Sequence, residues 1–245
     1  MNNILKNLKN TEVDETIILE VAMEAEEDLL LPQATDYLDM DKQYKQIMFF
    51  YESGIRQLTA KLDILNKEFQ FCNDRNPIES VKSRIKSQES ILLKMEKRGL
   101  PLTFSCMMNN IRDIAGVRVV CPFITDVYQV ARLLIGQPDV ELVQIKDYIR
   151  KPKENGYRSL HLIVMVEVHF SDRKRKVPVE VQLRTIAMNF WASTEHQLRY
   201  KKEQDFTEEI HRQLKKCAKL MSQADEIMQK LAENLNVSEE EDLYW

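Results

Sequence analysis

The chain has 245 residues, enough to bury a sizeable core as one large domain or as one domain with helical extensions. Its 44% apolar and 30% charged composition, with 5 glycines and 7 prolines, excludes collagen-like, linker-like and intrinsically disordered classes. A formal net charge of −4 excludes a surface built as a whole to coat nucleic acid, and no run of about 18 apolar residues is present to span a membrane.

Met1 to Asn10 lacks an apolar stretch of signal-peptide length, so a cytoplasmic protein with neither DNA nor membrane partners is expected. Cys72, Cys106, Cys121 and Cys217 have no paired spacing, which suits buried reduced thiols better than a disulfide framework or a zinc site. The histidines (His161, His169, His196, His211) form no HExxH pattern and no His-Asp doublet. Any metal is therefore expected on carboxylates.

In chain order, Glu12 to about Phe71 reads as helix, interrupted near Pro32 and resuming at Asp36. Asn73 to Pro77 is a polar break, and Pro77 suits the first turn of a helix running to Arg98, which Gly99 and Pro101 stop. Ala115 to Cys121 reads as a strand, Asp126 to Ile135 as a helix and Val140 to Ile145 as a second strand. The loop Lys151 to Gly156 leads into a strand from Ser159 to Phe170, and the basic turn Ser171 to Lys176 leads into another from Val177 to Leu183. Helices are expected from Thr185 to about Lys201 and from Phe206 to about Leu235. The latter carries a stripe at Ile210, Leu214, Cys217, Met221, Ala224, Met228 and Leu231 that is usually internal packing and otherwise an oligomer contact. Glu239 to Asp242 reads as solvated charge.

Several groupings could carry chemistry. On a helix from Pro77, Lys86, Ser90, Lys94 and Lys97 fall within an arc of about 80° while Ile91, Leu92 and Met95 face the other way. An exposed lysine face is the ordinary explanation, yet ammonium groups beside a hydroxyl also suit a triphosphate. Asp113 stands at the mouth of the first strand and Arg118 within it. They could be a structural ion pair, or a hard oxygen ligand for Mg²⁺ and a guanidinium able to stack on a base. Strand alternation sends Glu180, Gln182 and Arg184 to one face and Val177, Val179, Val181 and Leu183 to the other. A glutamate in mid-strand costs stability unless solvated, paired or metal-bound, so Glu180 is a functional candidate. His161 shares a face with Ile163, Met165 and Glu167, close to Tyr157, an aromatic able to hold a nucleobase by stacking.

Taken in order, RIKSQES (Arg84 to Ser90), RDIAGVRVVCPF (Arg112 to Phe123), KDYI (Lys146 to Ile149), NGYRSLH (Asn155 to His161), EVQLRT (Glu180 to Thr185) and FWASTEHQLRYK resemble the synthetase domain of RelA/SpoT homologues. The small RelQ-type alarmone synthetases are the nearest pattern, from about Pro77 to Lys202. The resemblance implies an α/β (α+β), nucleotidyltransferase-like fold: a mixed β-sheet flanked by helices, with helical extensions at residues 1–76 and 204–245 around a synthetase domain at 77–203.

The activity it implies is transfer of pyrophosphate from ATP to the 3′-hydroxyl of GDP or GTP, making ppGpp or pppGpp and AMP in the stringent response. Arg84 and Arg118 would sandwich the adenine. Lys86, Ser90, Lys94 and Lys97 would hold the ATP phosphates, with Lys153 and His161 near the transferred groups. Asp113 would bind Mg²⁺, shared with Glu180, and Glu180 would act as general base. On the GDP/GTP side Lys153 and Tyr157 would be joined by Asn189, Ala192 and Glu195. The alternatives are a pyrophosphokinase with another nucleotide or RNA acceptor, and a non-catalytic nucleotide- or RNA-binding module.

Lacking the hydrolase doublet and long C-terminal regulatory domains of the large relatives, the chain is expected to synthesise without degrading and without direct ribosomal control. RelQ-type enzymes are homotetramers through terminal helices, and pppGpp and single-stranded RNA are the candidate regulators. Ser80, Lys82 and Ser83 depart from the Phe, Thr and Gly expected in the RelQ-type stretch that lines an allosteric pppGpp cleft.

Overall fold

Apolar residues at every second position of two consecutive strands give the sheet a face that must be covered, and two helices cover it. In the computed structural model, which describes residues 37–73, 75–201 and 207–235, the first element is helix α1 (Tyr37–Asn73). Strand β1 (Ser80–Ile85), helices α2 (Gln88–Lys97) and α3 (Phe104–Asn110) and strand β2 (Ala115–Cys121) follow. Helix α4 (Ile124–Ile135) then leads to strands β3 (Val140–Asp147), β4 (Leu160–His169) and β5 (Lys174–Thr185), and helices α5 (Ile186–Lys201) and α6 (Glu208–Asn234) close the described chain. The predicted helix onset at Glu12, the break at Pro32 and the acidic run Glu239 to Asp242 lie outside the described residues.

The strands are ordered β1-β2-β5-β4-β3, and every neighbouring pair is antiparallel except β2 with β5. The β2–α4–β3 crossover leaves two strand positions open, and the β4–β5 hairpin fills them. Val177, Val179, Val181 and Leu183 of β5 join Leu162, Val164 and Val166 of β4 in one core with Ile47, Leu58 and Leu62 of α1 and Val127, Ala131 and Leu134 of α4. Each such side chain contributes about 1.5–3 kcal/mol when fully buried, so this face dominates stability. The opposite face of the sheet is left for other uses.

Two expectations are corrected. The helix expected from Pro77 to Arg98 is a strand followed by a shorter helix. Val81 and Ile85 alternate with Lys82 and Arg84, and β1 pairs with β2 from Ser80 opposite Val120 to Ile85 opposite Ala115. Long-range strand pairing has overridden the local helical period. Ser87 caps α2, its hydroxyl accepting from the Ser90 amide, so Lys86 lies outside the helix, and Leu92 is exposed rather than buried. The apolar stripe of the last helix also divides: Leu214, Cys217 and Met221 pack inward, whereas Ile210, Met228 and Leu231 are exposed. All four cysteines are unpaired thiols, with Cys121 buried and Cys72 exposed.

Helix α1 lies close against β5 at Gly54, where a Cβ would fall 2.8 Å from Val177 Cγ1. Gly54→Leu is expected to cost about 1–3 kcal/mol through overpacking, despite leucine's better helix propensity. Urea denaturation measures this, and an unchanged midpoint would contradict the close packing.

Candidate active site

Strand register alone assembles a polar row across the open face. Lys82, Arg118, Gln182, His161 and Lys146 are successive partners across all five strands. The adjacent row runs Arg84, Gly116, Glu180, Ile163 and Gln144. Parallel pairing of β2 with β5 thus brings the RDIAGVR and EVQLRT segments side by side.

Around Glu180 the hydrogen bonds close into a ring. The buried Arg184 donates through Nη2 to the Tyr157 hydroxyl at 2.7 Å and to Gln182 Oε1 at 3.0 Å. Tyr157 Oη lies 2.7 Å from His161 Nε2, and His161 Nδ1 lies 3.2 Å from Glu180 Oε1. Gln182 Nε2 donates to Glu180 Oε2 at 2.8 Å. With Arg184 donating, the consistent assignment has the tyrosine hydroxyl donating to Nε2 and Nδ1–H donating to the carboxylate. Burial works to raise the Glu180 carboxyl and the Asp113 charge adds to that, yet the hydrogen bond and charge of His161, with the bond from Gln182, prevail and hold it below its ordinary value.

Asp113, just before β2, is held by charge instead. Lys86 Nζ lies 2.6 Å from its Oδ2 and Lys94 Nζ 2.7 Å from its Oδ1. Burial pushes this carboxyl up, but the two lysines outweigh it and bring it down to about 2. Lys86 reaches Asp113 from the end of β1 and Lys94 from α2, so a strand and a helix supply what one helix face was expected to supply. Ser90 lies in the first turn of α2, its hydroxyl 2.8 Å from that of Ser87. Lys97 is exposed at the far end of the helix and is not drawn into this group. Arg84 is exposed and Arg118 half-buried; burial, then the charges of Arg184 and Arg84, pull the Arg118 guanidinium below its ordinary value.

On the other side, Lys153 Nζ sits 4.6 Å from the ring centre of Tyr148 and 5.1 Å from that of Tyr157. The two tyrosines meet edge to face at 6.0 Å, and Tyr148 meets His161 at 5.3 Å. Asn189, Ala192 and Glu195 lie on α5. Ala192 is buried in a cluster with Trp191 and Ala218 against which Tyr157 packs, and Asn189 Oδ1 is buried without a hydrogen-bond partner. Glu195 pairs with Arg199 at 2.8 Å.

Three participants were not singled out from sequence. Arg184 and Gln182 were placed on the correct strand face by alternation, but their bonds depend on register. Tyr148 lies in the KDYI motif, where Asp147 accepts from the Tyr128 hydroxyl at 2.9 Å and from the Ile149 amide at 2.9 Å, fixing the turn. Arg158, by contrast, turns away from the site to the Ile149 carbonyl and Ser222.

A family model described as a region found in RelA/SpoT proteins matches residues 83–205. The chain is 40% identical over 201 residues to the GTP pyrophosphokinase YwaC of Bacillus subtilis (strain 168), covering 82% of this chain and 96% of that one. It is 35% identical over 191 residues to the GTP pyrophosphokinase YjbM of the same strain, covering 78% and 89%. The crystal structure of the small alarmone synthetase 1 from Bacillus subtilis, bound to its product pppGpp, matches with a TM-score of 0.74 at 34% identity, over 80% of this chain and 99% of that chain. These matches run through both halves of the site, and the chain belongs to the RelA/SpoT family, among its small alarmone synthetases of the GTP pyrophosphokinase type.

Proposed function

We propose that the chain transfers the β,γ-pyrophosphoryl group of ATP to the 3′-hydroxyl of GDP or GTP, yielding ppGpp or pppGpp and AMP. The observation that carries this reading is the closed ring that presents Glu180 as an ionised carboxylate. It lies on an open sheet face between the cations of β1, α2 and β2 and the Tyr157 aromatic group.

In this reading adenine lies between Arg84 and Arg118, and Lys86, Ser90, Lys94 and Lys97 take the ATP phosphates. Guanine stacks on Tyr157, with Lys153 beside the transferred groups. The acceptor's edge and ribose meet Asn189, Ala192 and Glu195, where the unpartnered Asn189 Oδ1 offers an acceptor. Both Glu180 oxygens already accept one bond, and each keeps a lone pair. Glu180 takes the proton of the 3′-hydroxyl as that oxygen bonds to the β-phosphorus, and the bond from the β-phosphorus to the oxygen shared with the α-phosphate breaks, releasing AMP. Alignment and charge stabilisation carry most of such a transfer, which is why so many cations surround one base. His161 holds Glu180 in place and Arg184 anchors the ring.

Mg²⁺ fits Asp113 and Glu180, two hard oxygen donors held ionised and close enough for the Asp113 charge to act on Glu180. Among the described residues no cluster of three or more candidate ligands forms an all-protein metal cage, so the nucleotide phosphates would complete the coordination. When bound, the ion neutralises charge on the transferred phosphates.

We read the assembly as a homotetramer, supported by Leu220, Ile227, Leu231 and Leu235 exposed along and just beyond α6. Light scattering at micromolar concentration should give four chains per particle, and a monomer would remove this reading. The nucleotide substrates point to the cytoplasm, and no described helix is long and apolar enough to cross a membrane.

Glu180→Gln should lower kcat by about 10²- to 10⁴-fold for synthesis of pppGpp from ATP and GTP, with the protein still folded. Ion-exchange analysis of the products reads this directly, and full activity would remove Glu180 as the base. In Lys94→Met the Asp113 carboxyl should titrate above its parental midpoint of about 2, since burial then acts against one cation fewer. A carboxyl-carbon NMR titration that finds the midpoint unmoved would contradict the electrostatic role of Lys94.

A further inference from the structure

Helix α6 presses against the back of the acceptor side at several independent points. Gly156 adopts φ +92° in the loop before β4, and a Cβ there would fall 2.5 Å from the Ala218 Cβ. One turn further along α6, Ser222 accepts from Arg158. Asp225 Oδ2 accepts from the Thr185 hydroxyl at 2.7 Å, and the same hydroxyl caps α5 by accepting from the Met188 amide at 3.1 Å. Trp191 Nε1 donates to the Leu214 carbonyl at 2.9 Å, and Gln229 Oε1 accepts from the Thr125 amide at 3.2 Å.

Apart from Thr125 of α4, the segments held in this way are the ones that carry the acceptor residues. Lys153 and Tyr157 close a tight loop on each other: the Lys153 amide donates to the Tyr157 carbonyl at 3.1 Å and the Gly156 amide to the Lys153 carbonyl at 2.8 Å. Gly156 sits inside that loop, so Ala218 sets its height above α6. Asn189, Ala192 and Glu195 lie on α5, whose first turn Asp225 reaches through Thr185. The ATP-side residues Arg84, Lys86, Ser90, Lys94 and Arg118 make none of these contacts.

We infer that Ala218, Ser222 and Asp225 are positioning residues for the acceptor nucleotide, with α6 a seat that fixes the Lys153–Tyr157 loop and the start of α5 relative to Glu180. None of the three touches substrate in this arrangement; each acts through a residue that does, or through its neighbour in the chain. The inference rests on the acceptor assignment proposed above.

Trp245→Phe provides a parent with Trp191 as its remaining tryptophan, so emission reports α6 docking independently of activity. In that background Ala218→Leu and Asp225→Ala should raise KM for GDP about tenfold or more, with KM for ATP held within about twofold. Asp225→Asn, which can still accept from Thr185, should remain within about threefold of the parent. Equal rises in both KM values, or an unchanged GDP KM in a variant whose Trp191 emission has shifted, would overturn the inference.

Should Ala218→Leu fail to fold, Ser222→Ala and the two Asp225 variants decide the question on the same readouts. If the parent transfers no pyrophosphate at all, the proposed function falls on its own. Amide hydrogen exchange then decides the seat: faster exchange confined to residues 153–158 in Ser222→Ala and to the first turn of α5 in Asp225→Ala supports it, and unchanged exchange refutes it.

Discussion

The burial of Arg184 is the constraint around which the site is organised. Among the described residues this guanidinium forms no direct ion pair, and a buried charge without compensation is very costly. Compensation comes through hydrogen bonds to Tyr157, Gln182 and Ser159 and from the Tyr157 ring 5.2 Å away. Two of these partners pass the polarisation on to Glu180, one through His161 and one directly. Arg184 and Glu180 are therefore the positive and negative ends of one hydrogen-bonded network. In a low-dielectric setting such chains are worth more than isolated bonds, and a break anywhere leaves a buried polar group unsatisfied. Glu180 owes its fixed orientation to this closure.

The charge distribution around the ring accounts for a site that suits polyphosphates on a chain that is acidic overall. Arg84, Lys86, Lys94, Arg118, Lys153 and Arg184 surround two carboxylates, although the formal net charge of the chain is −4. The excess is local, and fields of this kind raise the concentration of anionic ligands at a cleft without making the whole surface basic. The opposite face of the same sheet is predominantly apolar, pressed on α1 and α4, so one set of strands both anchors the core and displays the charge. Strand alternation makes this division possible, because each residue added to the site face is flanked by two in the core.

How much of this was legible in the sequence depended on the range of the interaction. Alternation in β4 and β5 is a local signal, and it correctly separated Val179 and Val181 from Glu180 and Gln182. Strand β1 was misread as helix because Ser80 to Ile85 is short, half-polar and followed by true helix; its identity comes from pairing with β2, a partner distant in sequence. The ring was beyond reach for the same reason. Whether Gln182 meets His161 or a neighbour depends on the β4–β5 register, and a slip of one residue would send every side chain to the other face. Lys86 and Lys94 were correctly grouped, but as neighbours on one helix, whereas the Asp113 carboxylate joins a strand end to a helix. The approach of Gly156 to Ala218 had no sequence signal beyond the glycine itself.

The two carboxylates of the site are kept ionised by different means, and the difference bears on their roles. At Asp113 full cationic charges oppose burial, and the carboxyl is driven far below its ordinary value. At Glu180 the hydrogen bond and charge of His161, with the Gln182 amide, oppose burial, and the shift has the same sign. A base must keep enough proton affinity to accept a proton in the reaction, whereas a metal ligand benefits from having almost none. Two lysine ammonium groups hold Asp113, whereas a histidine and an amide orient Glu180, a difference in surroundings that matches the division of labour proposed for them. The Asp113 charge still works against ionisation of Glu180. A divalent cation held by the two carboxylates would offset that repulsion.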